Sequence, residues 1–375
     1  MSSTRVQSRR RLLFAAGATG LASLGVAGRA GAQAKPKEKL VWVVSSATFE
    51  PGTATQTSIP FAAGFLEEEG LEVELKSARG SALGAQLIAT KQGDVVHAGT
   101  SVGLMVPVSK GTPLVAFYNM ITQNFQMPAV PADSPIKTLT DLKGKRLGVI
   151  GQATATVPIV KAVLEDAGLN PDKDVTFIDV GYGAQAASAL WLTKQVDSLA
   201  MYDSVYAAIE SVNPEKYKLR VLTSPLSEKI SFQTALIARP DTLKSRRDAL
   251  VRLGRAHAKS TVFALANPEA AVKIHFKRYP EQRPSNVDDA TAIELGKRNM
   301  MARLTNMRID NMAVKRDKWG YMHQIDVETY LNMLKKIGDV DKAVDPNAIY
   351  TNDLIDEINQ FDVEKVKQQA MAFKA

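Results

Sequence analysis

The 375 residues are 45% hydrophobic and include no cysteine; this is enough apolar sequence for more than one packed lobe, and it excludes disulfides, thiolate metal sites and cysteine nucleophiles. Of the net charge of +8, five charges are arginines within residues 1–34, a stretch without acids, so a chain starting at Lys35 keeps only +3. So small a charge over so long a chain gives no ground for nucleic-acid or membrane-surface binding.

At the N-terminus, Ser8, Arg9, Arg10 and Arg11 lead into an apolar run from Leu12 to Ala27, followed by small-residue cleavage sites at Ala30-Gly31-Ala32 or Ala32-Gln33-Ala34. This is the layout of an export signal over residues 1–34. The arginine pair resembles the twin-arginine type, with Leu12 where Phe is commoner. The run is glycine-rich and short of the ~20 apolar residues that span a bilayer. No cysteine follows it for lipid attachment, so the expected mature protein is free in the periplasm and not a lipoprotein.

KLVWVV (39–44) is a continuous apolar run, as in a strand covered on both faces. TATQTSIPFAAGFLEEEG (53–70) predicts one helix ended by Gly70, and LEVELKS (71–77) alternates as a half-buried strand. SALGAQLIATKQG (81–93) has a helical period, DVVHAG (94–99) is a short strand, and TSVGLMVPVSKG predicts a helix despite its internal proline. PLVAFYNM (113–120) is a buried strand. The alternation implies a parallel sheet in an α/β layer fold.

The pattern then restarts. TLTDLKGKRLGVIG (138–151) predicts a helical turn and a strand, Val157 to Ala167 a helix, VTFIDVG (175–181) a strand and AQAASALWLTKQ (184–195) a helix. DSLAMY (197–202) is a strand, SVYAAIESV a helix, and KLRVLTS (218–224) follows. SFQTALIARPDTL (231–243) reads as a strand returning to the first unit, and beyond Lys244 the chain is mostly helical.

DLKGKRLGV (141–149), the strand-loop-helix ending EDAGL, and ALWLTKQVDSLAMYDSVYA (189–207) together resemble periplasmic substrate-binding proteins of ABC importers, of the group for nitrate, sulfonate, taurine and thiamine-pyrimidine precursors. ATKQGDVVHAGTSVGLM (89–105) resembles the matching part of that group's first unit. The resemblance spans roughly Lys39 to Phe361. It implies a two-lobed α/β fold of the periplasmic-binding-protein type (type II), with two crossover strands, near Thr122–Pro128 and Phe232–Leu236, and a helical C-terminal part. Lobe 1 would comprise 35–125 and 236–375, and lobe 2 would comprise 126–235. A ligand would sit between them.

In open α/β sheets ligands bind beyond the carboxyl ends of the strands, where helix N-termini offer unpaired N–H groups to an anionic oxygen. The strand-to-helix turns therefore supply the candidates. Gln152, Thr154 and Thr156 lie in GQATATVP, where Pro158 places the cap near Thr156. The spacing is neither GxGxxG nor a P-loop, which disfavours a nucleotide. Thr100 and Ser101 follow DVVHAG, as ligand contacts or as a capping pair. Arg79 and Ser81 follow the second strand, and an arginine there could clamp a carboxylate or sulfonate. Ser46 and Phe49 lie in the loop after the first strand. Asn119 stands beside a crossover, and Tyr182, in VGYGAQ, brings a phenol. Asp203 would repel an anion, so it points away, pairs with a cation, or recognises an amino group on the ligand.

His97, His257, His275 and His323 show no metal-site spacing, and neither a GxSxG elbow nor an SxxK motif is present. The expectation is a monomeric, non-enzymatic solute receptor without cofactor or metal, delivering a small sulfonate or carboxylate, aromatic or aliphatic, to a permease and its ATPase. The rivals are a ligand sensor for a membrane kinase and an enzyme on the same scaffold. The latter conflicts with the export signal and with the missing cysteine motifs.

Overall fold

The computed structural model describes residues 37–310, 316–340 and 344–374. The export signal expected over 1–34 lies outside the described residues. Among those described, the strands are β1 Glu38–Val44, β2 Leu71–Ser77, β3 Val95–Gly99, β4 Val115–Ile121, β5 Gln126–Pro131, β6 Lys145–Val149, β7 Val175–Asp179, β8 Ser198–Tyr202, β9 Leu219–Val221 and β10 Thr234–Ala238. They form two five-stranded sheets of order β2-β1-β3-β10-β4 and β7-β6-β8-β5-β9, hereafter the first and the second sheet.

Both sheets are mixed, which corrects the expectation of parallel sheets. The pairs β1–β2, β1–β3, β6–β7 and β6–β8 are parallel. However, β10 runs antiparallel to β3 and β4, and β5 runs antiparallel to β8 and β9. The reason is the route of the chain. It passes from β4 to β5 through residues 122–125 and from β9 to β10 through residues 222–233. A strand arriving from the other sheet enters at the edge where the parallel strands end, so it must run against them. The two passages are joined where the Gln126 side-chain amide donates to Gln233 Oε1 at 2.8 Å.

The helices that frame the sheets are α1 Ser81–Ala89, α2 Thr156–Asp166, α3 Asp203–Val212, α4 Arg247–Ala266, α5 Pro268–Arg278, α6 Asp289–Thr305, α7 Gln324–Lys336 and α8 Val363–Ala372. Burial explains the apolar strands. Leu40 and Trp42 of β1 pack into one core with Phe65, Phe117 and Phe263, while Val43 faces a second core on the opposite side of the sheet. That second core is continuous with the second sheet. It holds Leu147 and Val149 of β6, Val160 and Leu164 of α2, and Tyr330 and Leu334 of α7. A third cluster packs Ala186 and Leu190 against Leu199 and Met201 of β8.

Three predicted helices are interrupted. The stretch 53–70 is three short turns, Ala54–Thr57, Ile59–Ala62 and Phe65–Glu68. Pro60 lacks an N–H to continue the ladder, and Gly64 is left-handed at φ 80°. After Thr100 the chain makes a π-helical turn, Ser101–Met105, before Val106–Ser109, and the wider turn accommodates Pro107. The helix expected at 184–195 is a short Ala184–Ala187 turn followed by the π-turn Ser188–Leu192. Among the described residues no helix is long and apolar enough to cross a membrane.

Candidate functional site

The carboxyl ends of β1, β2 and β3 face those of β6, β7 and β8 across a cavity of about 430 Å³. The first sheet's side contributes Ser46 and Glu50 after β1, Arg79 and Gly80 after β2, and His97 and Gly99 of β3. The second sheet's side contributes Gly151 and Ala153 to Thr156 after β6, Tyr182 after β7 and Tyr202 at the end of β8. Phe125 comes from the first passage, Gln126 and Thr234 are the first residues of β5 and β10 where the passages end, and Arg303 projects from α6. A larger hollow of about 810 Å³ lies along the passages, lined by Asn124, Tyr206, Ser231 and Ile325. The smaller cavity is the better site because the strand ends and the unpartnered polar atoms converge there.

Three helices open beside this cavity without a side-chain cap. α1 begins after Gly80, α2 after Ala155 and α3 after Tyr202, and none of these residues accepts from the first turn. The cap expected at Thr156 is thus absent, because Thr156 is already the first helical residue. Elsewhere α5, α6 and α8 are capped by Asn267, Asp288 and Asp362, while α4 and α7 are not. At α1 and α2 an uncapped start leaves the positive end of the dipole open to an anion. At α3, however, Asp203 N donates to Phe125 O at 3.1 Å and Ser204 N to Asp203 Oδ1 at 2.6 Å, so that end is already met by a carboxylate.

A polar clasp joins the two sides. Asp203 at the start of α3 accepts from Arg303 Nη2 at 2.7 Å and Nε at 2.9 Å, and from Asn306 Nδ2 at 2.8 Å. The pair is nearly dry, with 7% and 11% side-chain exposure for Arg303 and Asp203. The Arg303 guanidinium also lies over the Phe125 ring at 4.3 Å and the Tyr202 ring at 5.1 Å. Burial works to lower the Arg303 pKa, but the charge and hydrogen bonds of Asp203 outweigh it and hold the group above its ordinary value. Next to this pair, Ser204 Oγ donates to Glu50 Oε1 at 2.6 Å, and Asn299 bridges Gly52 N at 2.8 Å and Ser204 O at 2.7 Å. Burial pushes the Glu50 carboxyl up to about 7 against the pull of Arg303.

Five of the sequence candidates reach the cavity: Ser46, Arg79, Thr154, Thr156 and Tyr182. Arg79 is exposed and makes no ion pair among the described residues. The Ser46 hydroxyl donates to Thr48 O at 2.6 Å and that of Thr154 to Gly151 O at 2.8 Å, whereas the Tyr182 hydroxyl has no partner among the described residues. The other seven lie outside the lining. Ser81, behind the wall, accepts from Gly99 N at 2.9 Å, and Thr100 donates to Phe232 O of the returning passage. Ser101 reaches Ala155 O at 3.5 Å, and Asn119 donates to Ser231 O at 3.1 Å. Gln152 turns outward to Asp179 at 3.1 Å. Phe49 packs edge-on against Tyr279, and Asp203 takes the second of its three options, a cation partner.

Glu50, His97, Phe125, Gln126, Tyr202 and Arg303 line the cavity without having been singled out. His97 is registered between Val44 of β1 and Leu236 of β10, in mid-sheet, and is 7% exposed. Both its ring nitrogens, and Glu50 Oε2, lack a partner among the described residues. Burial holds His97 down to about 3, with Arg303 adding to the effect. The sequence cue for His97 was a lone polar residue inside an apolar strand. Among the described residues, no group of three or more His, Asp or Glu could hold a metal ion.

A cavity between two mixed sheets, bridged by two passages, defines a two-lobed α/β ligand-binding fold. Residues 61–271 match the family described as NMT1/THI5 like, and the chain belongs to that family. A putative binding protein of Brucella abortus is 24% identical over 221 residues, 59% of this chain. The alignment spans 66% of that relative's length. Among solved structures, the alkanesulfonate-binding protein SsuA of Xanthomonas axonopodis pv. citri, bound to MOPS, superposes with a TM-score of 0.59 at 14% identity, covering 85% of this chain and all of that one. The periplasmic nitrate-binding protein NrtA of Synechocystis PCC 6803 superposes at 0.60 with 15% identity, covering 91% of this chain and 99% of its own. These likenesses show the periplasmic-binding-protein fold.

Proposed function

We propose that the protein is an extracytoplasmic solute receptor that holds a small organic anion, a sulfonate or carboxylate, between its lobes and delivers it to an ABC permease. The observation that carries this reading is the convergence on one cavity of the uncapped starts of α1 and α2 and of Arg79, which makes no ion pair among the described residues. The binding proteins among its relatives and structural neighbours support the role, as does the layout of the first 34 residues. Asp203 no longer argues against an anion, because Arg303 and Asn306 satisfy it. Aromatic rings from Phe125, Tyr182 and Tyr202 supply an apolar wall for the body of the guest.

Binding rather than catalysis is favoured by how the cavity hydroxyls are used. Those of Ser46, Thr53 and Thr154 donate to backbone carbonyls. Those of Ser45 and Tyr182, without a partner among the described residues, have no base beside them to activate them and are left for the guest. Ser204, the hydroxyl that meets Glu50, is fully buried behind the wall. A receptor of this kind needs about −8 kcal/mol for micromolar binding, within reach of several charge-assisted bonds and an apolar wall. Calorimetry with a panel of sulfonates and carboxylates should give saturable one-to-one heats, with a matching mass in the natively purified protein. Heat from cationic amines alone would overturn the reading.

A further inference from the structure

The cavity has two chemically different ends. At its mouth are the exposed Arg79 and the starts of α1 and α2. Two buried residues of its lining, His97 and Glu50, form the floor, with both imidazole nitrogens and one carboxyl oxygen unpartnered among the described residues. Buried polar atoms are almost always satisfied, and those that are not call for a ligand or a special role. The rest of the floor argues against a charged guest group there. Arg303 stands beside Glu50, so neither an ammonium nor a second carboxylate meets a field of one sign. A neutral imidazole offers one donor and one acceptor in diverging directions, so a guest group meets one of them at a time. A group able both to donate and to accept can pair with either, and with the unpartnered Glu50 oxygen.

Taking the cavity as an anion receptor, as above, we infer that His97 and Glu50 are specificity-determining residues that bind an uncharged hydroxyl or carboxamide of the ligand, so that the guest is an organic anion carrying such a group away from its charge. The mouth takes the charge, the aromatic wall takes the apolar body, and the floor reads the neutral end. An analogue with a methyl group at that end leaves unpaired the buried floor atoms that the hydroxyl meets and is rejected for that reason, not for its size.

The test uses matched pairs that differ only at the neutral end, 4-hydroxybenzoate against 4-methylbenzoate and 2-hydroxyethanesulfonate against 1-propanesulfonate, titrated calorimetrically into the whole protein. The hydroxyl member of at least one pair should bind ten-fold or more tightly than its methyl partner. In His97→Leu the advantage should shrink to within two-fold, and in Glu50→Gln, which keeps a hydrogen-bonding end, it should persist. The ligand-free His97→Leu protein should melt at the same temperature or higher, since it loses no hydrogen bond. Arg79→Ala should weaken both members equally and leave their ratio unchanged. Equal binding of both members by the wild type, an advantage that survives His97→Leu, or a sharply lower melting temperature in that variant would each overturn the inference while leaving the anion reading intact. If 4-hydroxybenzamide binds as well as the acid and still depends on His97, the floor stands and the anion reading fails. Silence across the panel overturns both.

Discussion

His97, His257 and His275 are all buried, and burial is the main cause that holds them down, to about 3, 4 and 4 respectively. The unfolded chain therefore takes up protons between about pH 6.5 and 4 that the native protein refuses. Their stabilising contribution is present above pH 6.5 and is lost as the pH falls through that window. Glu50 has the opposite sign. Its carboxyl is raised to about 7, so its contribution is present below 4.5 and is lost as the pH rises through 7. Three groups outweigh one. The melting temperature followed by circular dichroism should climb from pH 4 to about 7 and then level off, and Glu50→Gln, by removing the opposing group, should steepen the climb between about pH 5 and 7. A flat acid limb would show that the histidines titrate normally. Legibility at this scale followed chain distance. Arg79, Thr154 and Tyr182 stand in strand-to-helix turns that can be picked out from local pattern. Arg303 reaches the cavity only because α6 packs against α3 a hundred residues away, and nothing around it in MMARLT marks that contact.

Strands were easier to read than helices because continuous apolar runs such as KLVWVV admit one explanation, burial on both faces of a sheet. The helical stretch 53–70 misled because Pro60 and Gly64 fall inside an otherwise amphipathic pattern, where tertiary packing tolerates the breaks. The turns matter most where they approach the opposite lobe. A Cβ on Gly99 would lie 2.3 Å from the Cβ of Ala155 across the cleft, whereas its nearest own-lobe neighbour, Ser81 Oγ, would be 3.3 Å away. Gly99→Val suits a β-strand and should fold. Its branches should nonetheless keep the lobes from meeting. The expected result is a melting temperature within a few degrees of wild type and ligand affinity down ten-fold or more, about 1.4 kcal/mol. Affinity equal to wild type would mean that the contact at Ala155 is not part of closure.

At the scale of the molecule, the two lobes meet through the Asp203–Arg303 and Ser204–Glu50 contacts and are joined by passages tied by Gln126 and Gln233, on which a receptor's lobes would turn. Removing one partner of a buried ion pair inside a rigid core costs about 3–5 kcal/mol. Between lobes that can part, the stranded charge escapes into water instead. Asp203→Ala should therefore enlarge the ligand-free radius of gyration in small-angle scattering while lowering the melting temperature only modestly. An unchanged scattering profile with a large loss of stability would mark the contact as internal to one rigid body.

The packing of α7 against α2 has a further consequence. The second sheet is built entirely from residues 126–221, yet part of the apolar surface over α2 is covered by Tyr330, Leu331 and Leu334. That half of the molecule cannot finish burying itself while it is still being translated. It waits for a segment that leaves the ribosome about a hundred residues later, so the second half matures only once α7 has been made.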